Sequence, residues 1–144
     1  MGLDMYLSKK NYVWTEERKN LEIKGLKDNR IKPERVSYIV EEVGYWRKAN
    51  AIHNWFVKNV QNDVDDCGEY YVSIDDLNSL LDVVNMVLKD KKLAPELLPS
   101  QSGFFFGSTD YDKWYFDELK NTKKLLQTVL KEKNGSDFYY HSSW

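Results

Sequence analysis

The chain has 144 residues, with 21 Lys and Arg against 23 Asp and Glu for a net charge of −2, and a single cysteine. Its 42% hydrophobic and 15% aromatic content is too apolar for a disordered segment, and the length suits one domain, 1–144, with its own core. The slightly acidic balance argues against direct nucleic-acid binding, no apolar run is long enough for a membrane span, and the lone Cys67 suits a reducing, cytoplasmic setting.

The first 43 residues read as strands. Leu3, Met5 and Leu7 alternate with Asp4, Tyr6 and Ser8, the period of a half-buried strand. Tyr12–Trp14 and Leu21–Lys24 are short candidates, and Val36, Tyr38 and Val40 alternate again after the breaker Pro33. From Gly44 to Gln61 the spacing predicts a helix. Tyr45, Ala49, Ile52, Phe56 and Val60 form its apolar stripe, widened by Trp46, His53 and Val57. Arg47, Asn50, Asn54, Lys58 and Gln61 occupy the opposite side, and Trp55 falls off the stripe, at the core edge or open to contact.

Tyr70–Val72 suits a short strand, and Ser73 with Asp76 three residues on reads as a capping box opening a second helix. Leu77, Leu80, Leu81, Val84, Val87 and Leu88 form its buried arc. Pro95 and Pro99 bracket a loop that leads into Gly103–Gly107. Ser108, Thr109 or Asp110 then caps a third helix reaching about Lys133. Its inward residues are Tyr111, Tyr115, Leu119, Thr122, Leu126 and Val129, flanked by Trp114 and Leu125. Asn134-Gly135 ends that helix, and the tail from Asp137 to Trp144 returns as a strand. The expected fold is α+β: an antiparallel sheet of amino-terminal strands plus the carboxy-terminal strand, packed against about three helices.

Charge is uneven along the chain. Residues 1–60 carry 12 basic and 8 acidic side chains, whereas residues 61–144 carry 9 and 15. Such polarity favours homo-oligomerisation or an acidic partner surface at Asp63, Asp65, Asp66 and Glu69; the ordinary role of such acids is to solvate and cap helix starts. Asp63, Asp65 and Gly68 match part of a calcium loop, but Cys67 and Ile74 stand where oxygen ligands are required. One cysteine and two histidines, His53 and His141, make no normal zinc site. No metal or cofactor is expected. The acids around Cys67 also argue against a cysteine nucleophile.

The binding signals are aromatic and polar together. Tyr45, Trp46, Arg47, Asn50, His53, Asn54 and Trp55 crowd one predicted helix, while Tyr111 and Trp114 open another. Rings beside Arg and Asn suit a nucleobase or a protein hot spot, although aromatics at helical spacing ordinarily form core. His53 in an apolar stripe is ordinarily a hydrogen-bonded core residue, with a pocket-lining role as the alternative. Gly107-Ser108-Thr109 opens a helix and offers N–H groups to an anion, or simply caps it.

The opening Met1-Gly-Leu-Asp-Met-Tyr-Leu7 resembles that of a family of small phage and prophage proteins. Gly44-Tyr-Trp-Arg-Lys-Ala-Asn-Ala-Ile-His-Asn-Trp-Phe56, Asp65-Asp-Cys67 and Gly103-Phe-Phe-Phe-Gly107 are similar too. The resemblance implies a setting without a mechanism: a phage accessory protein in a bacterial host cytoplasm, and in that setting interference with a host defence is the expected role. Binding is then the expected action. One mode sequesters a nucleotide-like small molecule through Arg47, His53, Trp55, Tyr111, Trp114, Ser108 and Thr109. The other covers a host protein with the acidic segment. The alternatives are a nucleotide-directed hydrolase or transferase using His53 with Asp65 or Asp66, and a structural phage component.

Overall fold

The computed structural model describes every residue except Met1, Asn29, Phe104 and Lys133. Four strands, β1 (Asp4–Tyr12), β2 (Tyr38–Arg47), β3 (Tyr70–Val72) and β4 (Asp137–Ser143), form one antiparallel sheet in the order β2-β1-β4-β3. The longer helices are α2 (Asn50–Asn59), α3 (Ile74–Lys89) and α5 (Lys113–Lys131); α1 (Thr15–Arg18) and α4 (Ala94–Leu97) are single turns. The architecture is α+β, as the periodicities predict.

Alternation places Leu3, Met5 and Leu7 beside Phe138 and Tyr140 on the covered face of the sheet. Ile52 and Phe56 of α2, Leu77, Leu80, Val84 and Val87 of α3, and Leu119, Leu126 and Val129 of α5 complete one continuous core. The Phe56 ring lies flat on Tyr140, with centroids 3.9 Å apart. The opposite face is rich in tyrosine. Tyr6 stacks on His141 and tilts against Tyr45, while Tyr71 meets Tyr139 edge-on. At the far end of the β1–β2 pair Tyr38–Glu42 are all exposed and none of them belongs to the core cluster of the described residues. There Lys10 sits 4.4 Å over the Tyr38 ring. A register shift between Leu7 and Ser8 leaves Val43 as an extra residue opposite β1, a β-bulge.

The capping box is present in full: Ser73 Oγ accepts from the Asp76 amide, and the Asp76 carboxylate accepts from the Ser73 amide. Other expectations are corrected. The residues from Gly44 to Arg47 belong to β2, with Gly44 and Trp46 buried and Tyr45 and Arg47 exposed. Helix α2 starts only at Asn50, after Lys48 takes a left-handed conformation at φ 55°. Leu21–Lys24 forms no strand. Pro95 lies in the first turn of α4 rather than in a loop. The cap of α5 is Asp112, whose carboxylate accepts from the Tyr115 amide, rather than Ser108, Thr109 or Asp110. The preceding stretch is held extended because Thr109 O accepts from Ser100 Oγ and the Tyr111 hydroxyl accepts from the Ser100 amide. Tyr111 is therefore exposed, and Phe116 takes a buried place on α5. The expected end of that helix, Lys133, lies outside the described residues, as do Met1 of the opening motif and Phe104 of the Gly-Phe-Phe-Phe-Gly stretch.

Candidate functional site

Helix α2 is buried on nearly every side. Each residue from Asn50 to Phe56 is shielded, because the sheet packs on one flank and Pro99, Gln101, Phe106 and Ser108 lie on the other. Asn50 fixes that segment. Its amide donates to Phe106 O at 2.9 Å and Ser108 O at 2.8 Å, and its Oδ1 accepts from the Gln101 amide at 3.0 Å. Trp55 is 8% exposed and meets Phe56 edge-on, so it is a core residue and not a contact surface. Asn50 and Asn54, expected on a solvent face, are buried as well.

Two cavities flank this helix. The first, of about 370 Å³, lies between the start of α2 and the first turns of α5. It brings together Arg47, Asn50, Ser108 and Trp114, all singled out from sequence, and adds Lys48 and Glu118. Tyr111 and Thr109 lie outside its lining, along with His53. Two bases, Arg47 and Lys48, and three acids, Asp110, Asp112 and Glu118, are among its lining. At one end Arg47 and Lys48 stand beside Ala49, Asn50, Ala51 and Ile52, the first turn of a helix that no side chain caps. Unpaired N–H groups and the aligned peptide dipoles of such a turn favour an anion. Arg47 also pairs with Asp4 at 3.4 Å, which holds the guanidinium at the rim.

The other end is a face of α5. Trp114 and Glu118 are one helical turn apart, as are Tyr115 and Leu119, and all four line the cavity. Trp114 is 81% exposed, an indole with little to pack on. Burial raises the Glu118 carboxyl above the ordinary carboxylate range, and no hydrogen bond or neighbouring charge contributes to that shift. The Tyr115 hydroxyl donates to Leu98 O at 2.7 Å, and Asp112 is occupied by its cap.

Lys48 carries strain into this site. A left-handed lysine costs roughly 1 kcal/mol relative to a residue without Cβ, and its side-chain stem passes between Gly2 and Gly107, whose Cβ positions would lie 3.3 Å and 3.2 Å from it. Lys48→Gly is therefore expected to raise the unfolding free energy by up to about 1 kcal/mol while weakening any anion bound at α2. Urea unfolding and calorimetric binding, run on the same preparation, separate the two effects.

The second cavity, of about 500 Å³, lies along the middle of α2 and is lined by His53, Lys58, Asp63, Asp65, Phe106 and Trp144 among others. His53 is fully buried. Its Nδ1 is 2.6 Å from the Tyr140 hydroxyl and its Nε2 is 3.0 Å from Asp65 Oδ2. Burial holds the Tyr140 phenol well above its ordinary range; because the Asp65 carboxylate can only accept, the imidazole tautomer that satisfies both contacts carries its proton on Nε2 and accepts from the phenol at Nδ1. The Nε2–H then donates to Asp65, and the second oxygen of Asp65 accepts from the Trp144 indole at 3.1 Å. The cluster ties α2, the acidic turn and β4 together.

The other predicted acids do not join it. Asp66 accepts from the Gly68 amide and the Tyr70 hydroxyl, bonds that hold its carboxyl below the ordinary range. Among the described residues no group of three or more His, Cys, Asp or Glu side chains is placed to hold a metal ion, and no helix is long and apolar enough to cross a membrane.

Sequence reasoning missed Lys48, Glu118 and Tyr140, and it offered Asn50 as a binding group rather than as the residue that fixes the loop. Glu118 left one signal: a carboxylate adjoining the apolar arc of a helix, one turn after Trp114. Searches against protein-family models, curated proteins and solved structures found no match to this chain.

Proposed function

We propose that this protein is a binding module that sequesters a nucleotide-like anion in the cavity between α2 and α5, in the phage-accessory setting its motifs resemble, and so counters a host defence. One observation carries the reading. Arg47 and Lys48 stand with the uncapped first turn of α2 at one end of a cavity whose other end bears the exposed Trp114 ring. Phosphate oxygens are matched by a guanidinium and free amides, and a base is matched by an indole face. The volume lies within the range of small-ligand sites.

The test is a titration with nucleoside monophosphates, followed by indole fluorescence and by calorimetry. Quenching is expected in the parent protein and its loss in Trp114→Phe. Removing one charge-assisted phosphate contact costs about 1.5–3 kcal/mol, so Arg47→Ala should weaken binding roughly ten- to hundredfold. No heat and no quenching at millimolar ligand would reject the reading. A host protein captured instead would move attention to Asp63, Asp65, Asp66 and Glu69.

An enzymatic reading draws on the 3.0 Å contact between His53 and Asp65 beside the larger cavity. Against it, both imidazole nitrogens are already engaged, so a substrate proton can be moved only after one partner leaves. Nucleotide turnover that disappears in a folded His53→Gln variant would favour this second reading.

A further inference from the structure

We propose that Glu118 selects guanine over the other bases in the cavity between α2 and α5, an inference that rests on the nucleotide reading of that cavity. Trp114 and Glu118 lie four residues apart on α5 and both face the cavity, so their side chains are neighbours on one helix face. A base stacked on the indole brings its edge alongside the carboxylate, while its phosphate points toward Arg47, Lys48 and the start of α2 at the other end.

A carboxylate has acceptors only. Guanine presents two adjacent donors, N1–H and the 2-amino group, which a carboxylate accepts side by side. Adenine and cytosine each place a ring-nitrogen lone pair next to their single amino group, so one carboxylate oxygen would face another acceptor. Uracil offers one N–H flanked by two carbonyls. The site also makes the choice matter. Glu118 is partly desolvated, with no protein partner contributing to its shifted titration, and an unmade bond is costly at such a group. Of the other two acids in the lining, Asp112 already accepts from the Tyr115 amide and Asp110 lies before α5 rather than on the helix face that bears Trp114.

Substituting glutamine reverses the pattern on one of the two atoms. Its carbonyl accepts from the adenine amino group while its NH2 donates to the adjacent ring nitrogen, and it can equally accept from guanine N1–H while donating to O6, so Glu118→Gln should bind the two bases about alike. The experiment is calorimetry of the parent and of Glu118→Gln against GMP, IMP and AMP, with thermal melts to confirm that both proteins are folded. The parent should prefer GMP to AMP by about ten- to hundredfold, the value of one bidentate base contact. IMP, which keeps N1–H and lacks the 2-amino group, should fall between them. In Glu118→Gln the preference for GMP over AMP should fall to within a few-fold. Equal affinities for all three in the parent would overturn the guanine inference and leave the nucleotide reading standing. Failure of every nucleotide to bind would overturn both. A parent preference for GMP that survives unchanged in Glu118→Gln would remove Glu118 from base selection.

Discussion

Asn50→Ala is expected to lower the unfolding free energy by about 3 kcal/mol and the melting temperature by roughly 6–12 °C. The side chain is buried and uses both amide protons and its oxygen on three backbone groups: Phe106 O, Ser108 O and Gln101 N–H. Truncation leaves those groups without their partner at the junction of helix and loop, and a buried polar group without a bond costs about 1–3 kcal/mol. Asn50→Asp should be worse than alanine, because a carboxylate would face two carbonyl oxygens. The segment that Asn50 holds supplies Gly107 and Ser108 to the first cavity and Gln101 to Phe106 of the second, Phe104 lying outside the described residues. Ligand affinity should therefore fall in the alanine variant even though no charged contact is removed. Thermal unfolding and calorimetry together check both statements, and a melting temperature within a degree of the parent would contradict the role given to this residue.

His53→Leu is expected to cost a similar amount by a different route. It deletes the acceptor of the fully buried Tyr140 hydroxyl and the donor to Asp65. Asp65 is partly exposed and can turn to water, so most of the penalty, about 2–3 kcal/mol, belongs to the stranded phenol. The cause is isolated by the double variant His53→Leu with Tyr140→Phe. Removing both members of a buried pair costs far less than removing one, so the double variant should regain much of the lost stability. If it is simply the sum of the two single variants in urea unfolding, the contact contributes nothing of its own.

Local rules served well where spacing alone dictates geometry. Ser73 and Asp76 are close enough in sequence to cap one another, and the alternation from Leu3 to Leu7 needs only a sheet with one buried face. They served poorly from Gly44 to Ala49. Tyr45, Ala49, Ile52 and Phe56 happen to fit a helical stripe, yet Tyr45 is on the open sheet face while Ile52 and Phe56 are in the core. The boundary between them is Lys48 in a left-handed turn, and lysine carries no turn signal. Trp55, Asn50 and Asn54 look exposed on a helical wheel because a wheel assumes one buried face, whereas α2 is enclosed by the sheet and by the segment after Pro99. Of the predicted ligand residues, Arg47, Ser108 and Trp114 share one cavity and His53 lines another. That division depends on the path of residues 99–112, a long-range arrangement without a local pattern. The contact between His53 and Tyr140 spans 87 positions of chain and leaves no trace in spacing.

The overhanging end of the β1–β2 pair implies a gradient in how the sheet opens. From Tyr38 to Glu42 the ladder is supported by its own hydrogen bonds and by ring contacts such as Tyr12 against Tyr38 and Lys10 over Tyr38, whereas the register from Met5 to Trp46 lies over the core. Backbone amides near Tyr12 and Tyr38 should thus exchange with solvent through shallow fraying, and those around Met5 and Trp46 only when the whole domain unfolds. Arg47, at the slow end of this gradient, lies on the same side of the molecule as the cavity it lines. The protein can therefore fray at one end of a strand while the ligand-binding residues at the other end stay in register.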